Sequence, residues 1–375
     1  MVFAQAVAQP DTGADADSRW MRRALQLAQR GLGRTSPNPV VGACVVSDAG
    51  VVLGQGAHER AGDPHAEVHA LEEAGDQARG ATMYCTLEPC AHIGRTGPCV
   101  DRIIAAGIAR VVAAMEDPFP LVNGRGFEKL REHGIRVDVG TGRAAAARLN
   151  QPFLTTVRYG RPFVILKAAT SLDGRIAAAP GTRTAITSAP ALRHAQYVRA
   201  TVDAIAVGSE TVLVDNPLLT VREVFRERPL TRVVFDRRLR TPIDARVLRT
   251  LDAGPVIIVT SSDAVTTEAD RARGLRDAGA TLLPIAPGEM MPALRELAAF
   301  EIQSLLLEGG AAVHAAAWDE GVVDFVQMYV SPAPLGPTGV PFLDGRPFSS
   351  AALHDRRVEP LGPDVLIEGY VHRLD

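Results

Sequence analysis

At 375 residues the chain exceeds one typical domain and has the length for two separate cores. A formal net charge of -3, no run of Lys or Arg, and only 5% aromatic residues argue against a polynucleotide-binding surface. No apolar run approaches the ~20 residues of a membrane span, and four cysteines suit a reducing cytoplasm better than a disulfide framework.

Residues 1–17 lack a basic leader and hold Asp11, Asp15 and Asp17, so they read as a disordered tail. Ser18 is placed to cap a helix with Met21, Ala24, Leu25 and Ala28 on its apolar side. The turn Ser36 to Gly42 feeds a strand, which Asp48-Ala49-Gly50 reverses into Val51 to Leu53. Asn38 lies where that turn meets the sheet; its amide serves either a heterocycle edge or the turn itself. His58, in a Gly-rich segment, is equally ambiguous.

The most informative stretch runs from His65 to Cys99. His65-Ala66-Glu67 opens an apolar run with helical spacing, and Pro89-Cys90 and Pro98-Cys99 follow. One imidazole and two thiolates make three ligands for zinc, which leaves a coordination position for water. Helix N-termini near the sulfurs favour the thiolate form. Glu67, two residues past the histidine, cannot share its helix face and reads as a proton carrier beside the metal. Buried inert thiols are the bland alternative, and a structural zinc with Cys44 or Cys85 as fourth ligand is another. The His65/His69 pair lacks the glutamate directly after the first histidine that a zinc protease needs. Eight residues separate Cys90 from Cys99, among them Gly94, Arg95 and Gly97, a loop able to meet a phosphate or simply to turn.

Strand-like Ala109 to Met115, helical Phe127 to His133 and strand-like Ile135 to Val139 complete a layered α/β domain over residues 18–142. Residues 143–162, with a short helix Arg143 to Leu149, read as a connector. From Phe163 to the end a second α/β domain restarts, with seven strand-like runs separated by helical stretches, one capped by Ser188 and another beginning at Val313. No Gly-x-Gly-x-x-Gly turn occurs. Lys167, Gly208 to Thr211, Asp236-Arg237-Arg238 and Glu308-Gly309-Gly310 fall at strand ends, where ligands of such sheets gather. The diglycine suits a phosphate, and the arginine pair suits the 2'-phosphate of NADPH.

Taken together these motifs resemble the bifunctional riboflavin-biosynthesis deaminase/reductase family. The resemblance rests on Pro37-Asn38-Pro39-x-Val41-Gly42, His65-Ala66-Glu67, Thr86 to Cys90, Gly94 to Thr96, Pro98-Cys99, Lys167 to Gly174, Thr211 to Arg222 and Glu308 to Gly310. It implies a cytidine-deaminase-like α/β/α layered domain followed by a dihydrofolate-reductase-like α/β domain. It implies Zn2+ and NADPH as cofactors and a small phosphoribosyl-aminopyrimidine as substrate of both reactions. No nucleic acid and no membrane are expected as partners, on the charge balance and the lack of a long apolar run, and a homo-oligomeric assembly stays open. Asn38, His58, Arg95 and Asp117 would contact the deaminase substrate; Arg199, Leu219, Arg222 and Glu308 the sugar-phosphate side of the reductase substrate. Ala169, Thr211, Asp215, Arg237 and Gly310, Ala311, Ala312, Val313, His314 would meet NADPH, with Lys167 and Asp215 as candidate catalytic groups. Two segments depart from the family. Phe119 stands where it has an Asn, with Asn123 as candidate replacement. Arg183-Thr184-Ala185-Ile186-Thr187 stands where it has Ser-x-Trp-Ile-Thr, and Arg183 is expected to supply charge to the phosphate. The rival reading is a single-activity nucleotide deaminase with an inactive or regulatory reductase-like domain.

Overall fold

The computed structural model describes residues 16–91, 97–120, 122–286 and 288–373. The chain divides into two compact units, one ending at Tyr159 and the other beginning at Gly160.

The first unit carries, in chain order, α1 (Ala16–Ala28), β1 (Gly42–Val46), β2 (Val52–Ala57), α2 (Ala66–Ala74), β3 (Thr82–Cys85), α3 (Cys99–Ala106), β4 (Arg110–Ala113), α4 (Arg125–Glu132), β5 (Arg136–Val139), α5 (Arg143–Leu149) and α6 (Gln151–Tyr159). Its sheet has the order β2-β1-β3-β4-β5; β1 is antiparallel to β2 and β3, and β3, β4 and β5 run parallel. The apolar, fully buried β1 matches a central strand covered on both faces. Helices lie very close to this sheet because glycines face them. A Cβ added at Gly42 would meet the Ala24 carbonyl at 2.0 Å, and one at Gly54 or Gly56 would meet the Ala70 or Ala66 carbonyl of α2 at 2.1 or 2.2 Å. The spacing of α2 from the sheet is therefore set by backbone against backbone.

Two expectations change here. The first helix begins at Ala16, two residues before Ser18, because Asp17 is held by the Tyr84 hydroxyl at 2.8 Å and by Arg110 at 2.7 and 2.9 Å. Asp17 is thus part of the fold; residues 1–15 lie outside the described residues. The segment 143–162, read as a connector, carries α5 and α6, and Ala146, Leu149, Phe153 and Leu154 join the first unit's core. Asn150 between them accepts from Val40 N–H at 2.8 Å and donates to Val40 O at 3.0 Å, bracing the strand entry next to Asn38.

The second unit carries β6 (Phe163–Thr170), β7 (Arg175–Ala177), α7 (Ala189–Thr201), β8 (Ala204–Gly208), α8 (Ser209–Asp215), β9 (Thr231–Phe235), β10 (Val256–Ser261), α9 (Ser262–Thr267), α10 (Ala269–Asp277), β11 (Thr281–Ile285), α11 (Met291–Ala299), β12 (Ser304–Leu307), α12 (Ala311–Asp319), β13 (Phe325–Val330), β14 (Val340–Pro341), β15 (His354–Leu361) and β16 (Asp364–Tyr370). Nine strands form one sheet in the order β11-β10-β9-β8-β12-β6-β13-β16-β15, parallel from β11 through β13 and antiparallel at β16 and β15. The seven expected strands are present; the two C-terminal ones and the short β7/β14 pair were not expected. Ser188 occupies the position before α7, but its hydroxyl donates to Asp364 Oδ2 at 2.7 Å and makes no capping bond to the helix. The last major helix starts at Ala311, not Val313.

Candidate functional site

In the first unit the strand β3 leads through Thr86, whose N–H and hydroxyl bond Gly42, to Cys90. Cys90 then rests on the start of α3: its carbonyl accepts from Val100 N–H at 3.2 Å, and its sulfur accepts from Cys99 N–H at 3.3 Å. Cys99 opens that helix, and His65 is the residue before α2. His65 Nδ1 lies 3.2 Å from Cys99 Sγ and 3.5 Å from Cys90 Sγ, and all three donor atoms lie within 4.8 Å of one another. Zinc bonds of about 2.0–2.3 Å place tetrahedral ligand atoms about 3.5–3.8 Å apart, so this donor set fits the ion. The Cys99 thiol as hydrogen-bond donor, helped by His65 and opposed by burial, pushes the Cys90 thiol down to about 4, a thiolate ready to ligate, while the Cys99 proton is held more tightly.

Glu67 sits in the first turn of α2, 3% exposed, on the wall of a cavity of about 420 Å3 that also takes in His65 and Cys90. Its Oε2 is buried with no hydrogen-bond partner, and burial pushes its carboxyl up to about 7. Such a group can hold or release a proton near neutral pH. The same cavity brings in Asn38, His58 and Asp117. Asn38 Nδ2 lies 3.1 Å from His58 Nε2, and His58 Nδ1 lies 3.3 Å from Pro64 O. A neutral His58 with its proton on Nδ1 satisfies both contacts, and burial lowers the His58 pKa in agreement. Asp117 accepts from Phe119 N–H at 2.8 Å, and burial pushes its carboxyl up to about 6.

Glu88, two residues before Cys90, is buried and accepts from the N–H groups of Asp117, Gly124 and Gly126 at 3.2, 2.9 and 2.8 Å. It ties the loop after β4 to the metal-ligand segment. Cys44 and Cys85 do not join the cluster. Cys44 bonds Trp20 O, burial pushes its thiol up to about 12, and Cys85 bonds Val112 O. The fourth-thiolate reading is therefore overturned. Phe119 lines the cavity, whereas Asn123 is exposed and does not, so Asn123 does not replace the missing amide. Arg95 lies outside the described residues. Phe153, on a helix that composition alone disguised as linker, also lines the cavity.

In the second unit the carboxyl ends of β6, β8, β9, β10 and β12 open on a cavity of about 940 Å3, at the upper end for ligand pockets and large enough for a dinucleotide. Ala169, Thr211, Asp215, Arg237 and Gly310 to His314, the residues expected to meet NADPH, all line it. Gly310 precedes α12, whose first N–H groups, on Ala311 and Ala312, have no partner within the helix. Gly309, with φ of 138°, is in a region closed to side-chain-bearing residues, and its carbonyl accepts from Gly208 N–H at 2.8 Å. Arg237 and Arg238 are exposed just past β9, on the same wall. Anion-binding N–H groups at one end and two exposed guanidinium groups at another suit the phosphates of NADPH.

Lys167 reaches the same cavity beside Glu308, 3.8 Å from Oε2. Burial lowers the Lys167 pKa, against the pull of Glu308. Arg199, expected with Glu308 on the sugar-phosphate side, clasps Glu308 through Nε and Nη2 at 2.7 Å each, and Nη1 donates to Thr220 O at 3.1 Å. That clasp holds the Glu308 carboxyl down to about 2, an anion set against Lys167. His314 is buried, with Nε2 3.1 Å from Leu307 O, and burial pushes it down to about 4, so it is neutral. Leu219, with φ of 54°, lines a separate small cavity together with Arg222 and Arg246, the last of which sequence reasoning passed over.

The comparisons with known proteins agree with this geometry. The family described as cytidine and deoxycytidylate deaminase zinc-binding region matches residues 14–115, and that described as RibD C-terminal domain matches residues 162–367. The riboflavin biosynthesis protein RibD of Aquifex aeolicus is 40% identical over 357 residues, covering 94% of this chain and 97% of that one. The solved structure of Acinetobacter baumannii RibD is 38% identical, covers 95% of this chain and 98% of its own, and superposes with a TM-score of 0.84. A Thermotoga maritima structure described as a diaminohydroxyphosphoribosylaminopyrimidine deaminase/5-amino-6-(5-phosphoribosylamino)uracil reductase is 35% identical over the same shares, with a TM-score of 0.82.

Fold and sites together define a zinc-dependent deaminase joined in one chain to an NADPH-dependent reductase. The chain belongs to the RibD family of riboflavin biosynthesis proteins and is a bifunctional enzyme of that pathway acting on a small molecule. No helix among the described residues is long and apolar enough to cross a membrane.

Proposed function

We propose that the first unit removes an amino group from a diaminohydroxyphosphoribosylaminopyrimidine, and that the second reduces the ribosyl chain of the resulting 5-amino-6-(5-phosphoribosylamino)uracil. The observation that carries this reading is the buried Glu67 carboxyl, whose Oε2 has no hydrogen-bond partner, beside the convergent His65, Cys90 and Cys99 donors. Held by those three residues, zinc supplies a Lewis acid that makes water nucleophilic near neutral pH. Asn38, steadied by His58, holds the pyrimidine edge through its amide oxygen, while Asp117 supports the ring on the same wall. As water adds to the ring carbon bearing the amino group, Glu67 takes a water proton and passes it to the ring nitrogen. It then delivers a second proton to the departing amine; the carbon-nitrogen bond breaks, ammonia leaves and a ring carbonyl remains.

For the reductase, NADPH supplies the hydride. The ribosylamine opens to an imine, and Lys167 polarises the acceptor, its ammonium oriented by Glu308, which Arg199 fixes in turn. The depressed Lys167 pKa supports this role, since a lysine at its ordinary value is a poor proton donor at neutral pH. Asp215 offers an acceptor for a sugar hydroxyl.

The test supplies the diaminopyrimidine substrate with and without NADPH and with and without a chelator, following ammonia and NADPH absorbance together. The expected result is ammonia release that the chelator stops, and NADPH oxidation that resumes under chelation once the deaminated product is added. NADPH oxidation absent with that product would leave only a deaminase.

A further inference from the structure

A buried polar row crosses the second sheet beside Lys167, and neither reaction above gives it a part. In the register of the sheet, Gln327 of β13 stands opposite both Lys167 of β6 and Glu368 of β16, and Tyr329 stands opposite Ala169. Gln327, Tyr329 and Glu368 are 1%, 1% and 5% exposed, and Ala191 and Ala195 of α7 join Tyr329 and Leu366 in one apolar cluster. The hydrogen bonds of the row run in one direction. With the proton of a neutral His194 on Nδ1, that nitrogen donates to the Tyr329 hydroxyl at 2.8 Å. The hydroxyl donates in turn to Gln327 Oε1 at 3.5 Å, and Gln327 Nε2 donates to Glu368 Oε2 at 3.3 Å. The His194 ring also meets the Tyr329 ring edge to face, with centroids 5.7 Å apart. The Tyr329 ring is thereby fixed at its far end.

The face of that ring is turned to Lys167, whose Nζ lies 5.5 Å from the ring centroid. This is within the ~6 Å at which the negative face of an aromatic ring attracts an ammonium. The other neighbour of Nζ is Glu308 Oε2, and at 3.8 Å that is an ion pair too long for a hydrogen bond. Among the described residues Nζ makes no hydrogen bond. A flexible four-carbon stem with one long ion pair leaves its head free to wander, whereas a clamped ring under the ammonium narrows its choice. Among the described residues Tyr329 lines neither cavity of the second unit, so it acts through Lys167.

We propose that Tyr329 is a positioning residue of the reductase: its ring face, fixed in orientation by His194 and Gln327, seats the Lys167 ammonium at the cavity wall. Resting on the reading of Lys167 as the group that polarises the acceptor, this gives the buried row its part in the reaction. The groups around Lys167 make the effect legible against pH. Arg199 of α7 is cationic, and Glu308 is anionic, held down to about 2 by Arg199 and Lys167 against its burial. Burial pushes His194 of α7 and His314 of α12 down to about 4, so both are neutral, and it pushes the Tyr329 phenol up. Of these groups only Glu368, which burial pushes up to about 7, titrates alongside Lys167 between neutral and alkaline pH. The ring favours the ammonium, so removing it moves the loss of that proton to lower pH.

The test follows two quantities against pH in the zinc-loaded full chain. One is NADPH oxidation on 5-amino-6-(5-phosphoribosylamino)uracil; the other is the reactivity of Lys167 toward acetic anhydride, read by peptide mass spectrometry. In Tyr329→Leu, kcat is expected to fall about 10-fold with KM nearly unchanged. The alkaline limb of kcat/KM and the labelling midpoint both move down by about one pH unit. Tyr329→Phe keeps the ring and recovers most of both. His194→Ala frees the hydroxyl and gives a smaller loss in the same direction. Ammonia release and the melting temperature of each variant report folding. Should Tyr329→Leu fold poorly, a ring-fluorinated phenylalanine at the same position keeps the shape of Tyr329→Phe without the negative face, and is expected to behave as Tyr329→Leu. Glu368→Gln leaves the alkaline limb in place. An unmoved limb and midpoint in Tyr329→Leu, a loss in Tyr329→Phe as large as in Tyr329→Leu, or a limb that moves only with Glu368→Gln overturns the inference. If Lys167→Met keeps full NADPH oxidation, or the wild type shows none, the reading of Lys167 fails by itself. The labelling midpoint then decides the seat: a fall in Tyr329→Leu supports it, and no fall overturns it.

Discussion

The two sites solve the problem of placement differently. In the first unit the metal ligands and the proton carrier come from two helix starts and one short segment between them, all within residues 65–99. In the second unit the cavity collects the ends of five strands spread from Lys167 to His314. The first is a local constellation pinned to backbone; the second depends on the register of a whole sheet. Chemistry that needs three atoms at fixed spacing is served by the former, and a long cofactor by the latter.

The sharpest separation comes from Glu67→Gln. The substitution keeps a neutral polar group of the same size, so zinc content by metal analysis is expected to stay at wild-type level, while ammonia release falls by about 10²–10⁴-fold. Loss of metal in that variant would make Glu67 a ligand and undo the role given to it. In the second unit Lys167→Met is expected to lower NADPH oxidation by about 10²-fold with ammonia release unchanged. The wild-type reductase also carries a sign. The ammonium is the donating form and burial favours the amine, so kcat/KM falls as pH rises through a value below that of an ordinary lysine. A pH profile flat up to the ordinary lysine range would remove Lys167 from the chemistry.

Smaller effects probe the scaffolds. Arg237→Ala is expected to raise KM for NADPH by about 10-fold while sparing NADH, since only the former carries the extra phosphate. Equal losses for both cofactors would place Arg237 elsewhere on the dinucleotide. Gly56→Ala forces a methyl group onto the Ala66 carbonyl of α2, which costs about 1–3 kcal/mol of stability and weakens zinc retention, both measurable by chelator-dependent unfolding. Full retention of zinc affinity would show that the ligand spacing does not depend on the α2 contact.

The same contrast governs what could be read before the fold was known. His65, Glu67, Cys90 and Cys99 carry distinctive side chains in a fixed order, and all four sit where their spacing placed them. The strands of the second sheet were legible as apolar runs, but β15 was not: it alternates His354, Asp355, Arg356, Arg357, Val358, Glu359 and Pro360 at a half-exposed edge. Residues 143–159 looked like linker because alanine and polar residues dominate, yet Leu149, Phe153 and Leu154 suffice to bury both helices. Arg246 lies in an irregular segment with no signature, and only its bond to Asn216 brings it to a cavity. Arg199 and Glu308 were both recognised as site residues, but that they would clasp each other is a fact of tertiary geometry.

Glu88 makes one further point about the first unit. A carboxylate that gathers three main-chain N–H groups from the segment Asp117 to Gly126 acts as a peg under the rim of the pyrimidine cavity. Lifting that rim would strip a buried carboxyl group of its donors, so the main chain beside Asp117 is tied down without any ligand. The ordering cost on that side is met during folding rather than at each encounter, and selection among pyrimidines there works by shape, not by closure.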